Sequence, residues 1–215
     1  MQQTLSPRHI SQRSIIVTLS VLAMGIIAIF LPMMVRFQDA GDYVVHNDIA
    51  AGVLNDPVDF FRNVPHFLYH LTVALTDVML PADINLAAAW VMVACYVGLG
   101  MLIFWELWSR TGISKGWRGL ALLSVVTISL LLVAPIFFFT PENYYFGYFT
   151  PHVYHNPTMI MMKPFAVLLF FAALYLYGRK GNLAAWWAIP YALLTGVCLL
   201  AKPNFIIAFV PALGL

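Results

Sequence analysis

The chain of 215 residues is too apolar for a water-soluble globule, since 62% of its residues are hydrophobic and only 9% are charged. Soluble domains are about 45–50% apolar and about 25% charged. Intrinsic disorder is excluded as well, because it requires low hydrophobicity and high net charge. A net charge of +2 is too small to indicate a nucleic acid partner. The composition therefore predicts an integral membrane protein, whose partner is the lipid bilayer.

Long apolar runs divide the chain into membrane-spanning segments. A hydrocarbon core about 30 Å thick needs about 20 residues of helix. The predicted spans are residues 15–35, 86–108, 119–139, 158–177 (interrupted at Lys163-Pro164), 183–201 and, in part, 205–215. Because helices satisfy their own backbone groups in lipid, we predict an all-α fold: a polytopic helical membrane protein with five full transmembrane helices and a partial sixth.

The charged residues between these spans predict the orientation of the chain. Most Lys and Arg residues fall on the side that the positive-inside rule makes cytoplasmic: Arg8, Arg13, Arg110, Lys115, Arg118, Arg179 and Lys180. By contrast, eight of the nine acidic residues and five of the six histidines fall on the other side. This places the N-terminus in the cytoplasm and the polar chemistry outside it.

The first outer loop, residues 36–85, carries two helical patterns. A short helix is predicted from Asp42 to Leu54. After Pro65, apolar residues recur at helical spacing: Phe67, Leu68, Leu71, Ala74, Leu75, Val78 and Met79. His66, His70 and Asp77 lie off this stripe. The pattern is typical of an amphipathic helix in the outer membrane interface.

A group of acidic residues directly follows the first span. Asp39, Asp42 and Asp48 are accompanied by His46, which lies four residues after Asp42 and so on the same helical face. Such carboxylates can deprotonate an acceptor hydroxyl or hold a divalent metal. Alternatively, Asp39 and Asp42 only cap the helix and interact with its dipole. His66 and His70 share the same spacing, but without a clear third ligand we favour a structural role for them.

The second outer loop, residues 140–157, is rich in aromatic residues and ends in an unusual polar string. His155 and Asn156 are followed by Lys163-Pro164, and Lys202-Pro203 repeats this dipeptide after the fifth span. A lysine near the membrane can bind an anionic lipid phosphate. It can also simply extend its ammonium into the headgroup region beside a proline that ends the helix.

This layout resembles the N-terminal half of the GT-C superfamily of polytopic membrane glycosyltransferases. The resemblance is carried by the span order, the acidic group after the first span, the string Pro65-His-Phe-Leu-Tyr-His-Leu-Thr-Val-Ala-Leu75 and the stretches 154–165 and 200–205. It implies an inverting transfer of sugar from a polyprenyl-phosphate donor to an acceptor hydroxyl, outside the cytoplasmic membrane of a bacterium. Family members continue beyond this half with further spans.

The resemblance also implies roles for individual residues. The acidic residue after the first span acts as general base, which falls on Asp42 or Asp39, with Asp48 as a second acid. From chemistry and membrane side, we place His155, Asn156, Lys163 and Lys202 around the donor phosphate. No metal ligand is assigned, and a divalent metal stays open as a cofactor.

Two other functions compete with this hypothesis. The chain could be a non-catalytic structural or assembly subunit that packs against other membrane proteins. It could also transport a lipid-linked or anionic solute, although transport sites carry charges at mid-membrane depth and the predicted spans are nearly free of charge.

Overall fold

A computed structural model describes residues 11–39, 41–80, 83–111, 116–136, 156–178, 185–212 and 214. This part of the chain is helical and contains no strand. Its helices are α1 (Gln12–Phe37), α2 (Asp42–Gly52), α3 (Pro57–Asn63), α4 (Leu68–Met79), α5 (Ile84–Thr111), α6 (Trp117–Ile136), α7 (Pro157–Tyr177), α8 (Ala188–Ala201) and α9 (Asn204–Ala212). A 3-10 turn at Ala185–Trp187 precedes α8.

Three helices are long and apolar enough to cross a membrane. These are α1 with 26 residues, α5 with 28 and α7 with 21, and each exceeds or matches the length of about 20 residues that a bilayer requires. The helices α6 and α8 are further apolar elements. The prediction of a helical membrane protein is confirmed at this level.

The long helices pack through a dense apolar core. One face of α1 is buried against α5. Its buried residues recur almost every fourth position: Leu22, Ile26, Phe30, Met34 and Phe37. Phe30 stacks on Tyr96 of α5, with ring centroids 4.1 Å apart. A Cβ at Gly100 of α5 would lie 2.5 Å from Cδ1 of Ile26. Gly100 therefore permits the close approach of α1 and α5.

The predicted interruption at Lys163-Pro164 is wrong, because α7 continues through both residues. A proline inside a helix removes one backbone hydrogen bond and crowds the preceding turn. Here Pro164 is buried in the interface with α5, where it faces Gly98. A Cβ at Gly98 would lie 3.9 Å from Cβ of Pro164, an ordinary van der Waals contact, so α7 packs closely on α5 at the proline. Lys202-Pro203, in contrast, does separate α8 from α9.

The short helices α2, α3 and α4 connect the end of α1 to the start of α5. The helix α4 packs on α2 and α5, and it also contacts α7 and α8. These contacts bring the first turns of α2 and the end of α8 to the same end of the helical bundle. The two helices predicted in residues 36–85 are present as α2 and α4, and α3 lies between them.

The polar side of α4 faces the protein. Tyr69, His70 and Val73 are buried, and Asp77 is half-buried, whereas Leu75 and Val78 of the apolar stripe are exposed. Ala74 of the same stripe is buried, so only the C-terminal part of the apolar stripe faces outward, while His70 faces α2.

Candidate functional site

Five ionisable side chains gather at the end of the bundle where α2 begins and α8 ends. We call Asp42, His46, His66, His70 and Lys202 the polar cluster. Asp42 and His46 lie on α2, His70 lies on α4, His66 precedes α4, and Lys202 follows α8. The charge of Lys202 acts on His46, on His66 and on Asp42, so these groups lie within electrostatic range of one another.

Asp42 owes its position to the way in which α2 begins. Gly41 precedes the helix with φ 57° and ψ −137°, a conformation that glycine adopts far more readily than other residues. Asp42 then occupies the first helical turn, where the helix dipole favours its negative charge. Its half-buried carboxylate has no hydrogen-bond partner among the described side chains. The carboxylate is therefore available to a ligand.

Asp39 has a different role. It is exposed and accepts a hydrogen bond from Nδ2 of Asn85, over 3.3 Å. The N-cap of α2 is Gly41, and no side chain forms a capping hydrogen bond there. The prediction that Asp39 and Asp42 cap this helix is therefore wrong. Asp42 still interacts with the helix dipole.

His46 and His70 form a direct hydrogen bond. Nδ1 of His46 lies 2.8 Å from Nε2 of His70, a normal distance for a strong hydrogen bond. His70 is only 1% exposed, and the rings of Tyr69 and Phe60 meet it edge-on. The sequence predicts a structural role for His70. The hydrogen bond also links it to the candidate site, because its partner His46 lies on the same face of α2 as Asp42.

The surroundings of the two imidazoles keep them neutral. Burial, together with the nearby imidazoles of His46 and His66, lowers the pKa of His70 to about 3. Burial also lowers the pKa of His46; the carboxylate of Asp42 opposes this shift, while Lys202 reinforces it. Both groups are uncharged near pH 7 because burial disfavours the charged imidazolium form.

We expect the folded chain to lose stability in acid because of His70. Its pKa falls from 6.5 to about 3 on folding, so between these values the unfolded chain binds a proton that the folded chain does not. The contribution of His70 to the free energy of unfolding is therefore fully present above pH 6.5. Below that pH it falls by about 1.4 kcal/mol per pH unit as the solution becomes more acidic. Thermal unfolding in detergent from pH 7.5 to 4.5 measures this slope. In His70→Gln the slope decreases; an unchanged slope would exclude His70 as its source.

A second polar network, centred on Asn47, fixes α2 beside the two imidazoles. Asn47 is 3% exposed and donates through Nδ2 to Oε1 of Gln38 and to Oδ1 of Asn85, each over 2.9 Å. Its Oδ1 accepts the hydroxyl of Tyr69 over 3.1 Å. Gln38 in turn donates to the carbonyl of Met34. The network joins α2 to the end of α1 and to α4 and α5, and so holds Asp42 and His46 in place.

Lys202 enters the polar cluster because α8 stops at this residue. Its backbone is extended, with φ −169° and ψ 121°, and its N–H bonds to the carbonyl of Cys198. Pro203 cannot continue the helix pattern of hydrogen bonds. Burial lowers the pKa of the half-buried Lys202, and the carboxylate of Asp42 opposes this shift. A partly desolvated ammonium beside a single carboxylate can attract an anionic group.

The other predicted site residues lie apart from the polar cluster. Asp48 is exposed on α2, and six residues after Asp42 it points to another side of the helix. Lys163 is half-buried within α7, and no described charge acts on it. Asn156 precedes α7 with φ 74° and accepts a hydrogen bond from the hydroxyl of Thr158. His155 and the aromatic loop at residues 140–155 lie outside the described residues.

The described ranges offer no cluster of side chains suited to a metal ion. No group of three or more His, Cys, Asp or Glu side chains there could hold a metal ion. The facing nitrogens of His46 and His70 already bond to each other.

Sequence reasoning missed the pairing of His46 with His70 and the network around Asn47. The available signal was the four-residue spacing between Asp42 and His46 and between His66 and His70. Spacing identifies residues on one face, but not which faces meet.

Comparisons with protein-family models, with curated proteins and with solved structures each return no match for this chain.

Proposed function

We propose that the chain is a GT-C-like membrane glycosyltransferase that transfers a sugar from a polyprenyl-phosphate donor to an acceptor hydroxyl outside the cytoplasm. The observation that carries this proposal is the polar cluster itself. It combines a carboxylate without a hydrogen-bond partner among the described residues, a partly desolvated ammonium and neutral imidazoles at one end of an apolar bundle. These are the groups that such a transfer requires.

The reaction needs a base and an anion site at the same place. Asp42 takes the proton of the acceptor hydroxyl while the hydroxyl oxygen bonds to the anomeric carbon. The bond from that carbon to the phosphate oxygen breaks on the opposite face, and polyprenyl phosphate leaves with the electron pair. Lys202 stabilises the negative charge that develops on this phosphate. The products are an inverted glycoside and polyprenyl phosphate.

The membrane arrangement belongs to the same proposal. The three long apolar helices support insertion in a bilayer. We propose five full spans and a partial sixth, a cytoplasmic N-terminus and a location in a bacterial cytoplasmic membrane. The polar cluster then lies at the outer surface, where a polyprenyl chain can extend into lipid while its phosphate stays beside Lys202.

Loss of the Lys202 charge is expected to impair use of the donor. In Lys202→Met, kcat/KM for a polyprenyl-phosphate sugar falls by about 10- to 100-fold, since a hydrogen bond to a charged group contributes about 1.5–3 kcal/mol. Lys202→Arg retains most of the activity because it keeps the positive charge. Release of polyprenyl phosphate from the donor, by the purified chain in liposomes, measures both variants.

The matched control is Arg62→Met, which removes an exposed cation from α3. It leaves the rate within about twofold of the original, because exposed charges contribute little locally. Equal rates for Lys202→Met and the original chain would contradict the role of Lys202. A chain that releases no polyprenyl phosphate from any donor would contradict the enzymatic proposal as a whole and favour a structural subunit.

A further inference from the structure

The bond between His46 and His70 restricts where the protons of both rings lie. Two neutral imidazoles can share a hydrogen bond only if one nitrogen carries a proton and the other offers a lone pair. Either His46 donates from Nδ1, or His70 donates from Nε2, across the 2.8 Å that separate these atoms. Because a neutral imidazole carries a single proton, each choice also determines whether the second nitrogen of each ring is protonated.

The second nitrogen of His70 distinguishes the two arrangements. Nδ1 of His70 is buried and has no hydrogen-bond partner among the described residues. If His46 were the donor, this buried Nδ1 would have to carry an unpaired N–H. Among buried backbone groups, an N–H without a partner is rarer than a carbonyl without one, and we apply the same preference to the imidazole nitrogens. His70 therefore donates from Nε2 and keeps a lone pair on Nδ1.

The tautomer of His46 follows directly. Because its Nδ1 accepts the proton of His70, its own proton lies on Nε2. That nitrogen has no hydrogen-bond partner in the described part of the chain, and the ring is half-buried. The charges of Asp42 and Lys202 both act on this ring. An N–H donor beside an ammonium is suited to an anionic oxygen and not to the uptake of a proton.

We propose that His46 donates its Nε2–H to a phosphate oxygen of the ligand held by Lys202, and that His70 is the positioning residue that fixes this tautomer. The ligand class, a phosphate ester, rests on the proposed function. The proton arrangement does not rest on it. Asp42 then remains the base of the cluster, and His46 serves as a neutral donor.

The first experiment determines the tautomers without any ligand. Multiple-bond proton–nitrogen NMR spectra of the chain with ¹⁵N-labelled histidine, at pH 7.5 in detergent, separate the two neutral tautomers by their nitrogen shifts. Spectra of His46→Asn and His70→Gln assign the two signals. We expect the Nε2–H form for both residues. A proton on Nδ1 of His70 would overturn the inference whatever the chain binds.

The second experiment tests the contact with phosphate by titration of the detergent-solubilised chain with farnesyl phosphate. His46→Asn keeps a polar group where Nδ1 lies but loses the Nε2 donor, whereas His46→Gln places an amide N–H near the original Nε2. We expect at least about tenfold weaker binding for His46→Asn and a change within about threefold for His46→Gln, as a charged hydrogen bond predicts. Farnesol, which lacks the phosphate, should bind all three proteins equally.

His70 requires its own comparison, since a positioning residue acts through another. His70→Gln retains a donor toward His46 and should preserve binding of farnesyl phosphate, while His70→Leu should weaken it and release the tautomer of His46 to a mixture in the NMR spectrum. Equal binding by His46→Asn and the original chain would overturn the phosphate contact. If inorganic phosphate binds as tightly as farnesyl phosphate, the ligand is a soluble phosphate; that outcome contradicts the proposed lipid donor but not the role of His46.

Discussion

Asp42→Asn is expected to reduce sugar transfer by about 100- to 10,000-fold, the range that general-base catalysis contributes. The substitution keeps the size and shape of the side chain but removes its capacity to take a proton. Folding should be nearly unaffected, because the carboxylate has no hydrogen-bond partner among the described side chains. The lost dipole interaction costs only about 0.3–1 kcal/mol. Release of polyprenyl phosphate and formation of the glycoside, both measured in liposomes, report the loss.

The kinetic pattern of this variant is as informative as its size. A base acts on the acceptor proton in the transition state, so kcat falls while KM for the lipid donor stays nearly constant. A group that binds the donor would instead raise KM. Because Lys202 is proposed to stabilise the phosphate, Lys202→Met should affect donor binding more strongly than Asp42→Asn does.

A matched control is Asp59→Asn on α3. Asp59 is an exposed carboxylate in the same layer of short helices, and it accepts a hydrogen bond from Asn63 that an amide oxygen can also accept. This variant should transfer sugar at the original rate. Unchanged turnover by Asp42→Asn, with the protein folded and the control active, would exclude Asp42 as the base. The acidic residues Asp39 and Asp48 would then be the next to replace.

The helical framework could be predicted from the sequence because lipid imposes one strong requirement on it. A segment that must satisfy its backbone in a bilayer has to be helical and apolar over about 20 residues. The predicted spans 15–35 and 86–108 accordingly lie within α1 and α5, and the helix predicted from Asp42 to Leu54 is α2, which ends at Gly52. The interruption predicted at Pro164 is wrong, because α7 continues through this residue, which is buried in the interface with α5.

The site could be predicted only in its residue types. The sequence indicates that Asp42 and His46 share one helical face, since four residues make one turn. It does not indicate that this face meets His70, because the contact between α2 and α4 depends on how both short helices dock on α5. Tyr69 illustrates the same limit, because its hydroxyl on α4 donates to Asn47 on α2, a contact that the spacing of residues within one helix does not indicate.

Asn47→Leu is expected to destabilise the docking of α2 by about 3 kcal/mol or more. The asparagine is 3% exposed and makes three side-chain hydrogen bonds, two as donor and one as acceptor. Leucine has a similar size but leaves the hydroxyl of Tyr69 and the amide oxygen of Gln38 without their partner. Each buried polar group left unpaired costs about 1–3 kcal/mol. The midpoint of thermal unfolding in detergent should fall by about 6–12 °C, at about 2–4 °C per kcal/mol.

Asn55→Leu provides the comparison, since Asn55 follows α2 and is exposed. It makes one long hydrogen bond, over 3.4 Å, to the carbonyl of Ala51. Substitution there should shift the midpoint by no more than about 1–2 °C, as exposed replacements change stability within about 0.5 kcal/mol. A small effect of Asn47→Leu, equal to that of Asn55→Leu, would show that the network does not hold α2.

The double variant Asn47→Leu/Tyr69→Phe separates an unpaired hydroxyl from a general packing defect. Removal of both partners eliminates the stranded group, so the double variant should be more stable than the sum of the single changes by about 1 kcal/mol. Additive effects would attribute the loss to packing alone. Because α2 carries Asp42 and His46, Asn47→Leu should also lower transfer activity, but in step with its unfolding. Asp42→Asn should lower activity in a chain that stays folded. The contrast shows that Asn47 positions the site, whereas Asp42 takes part in the reaction.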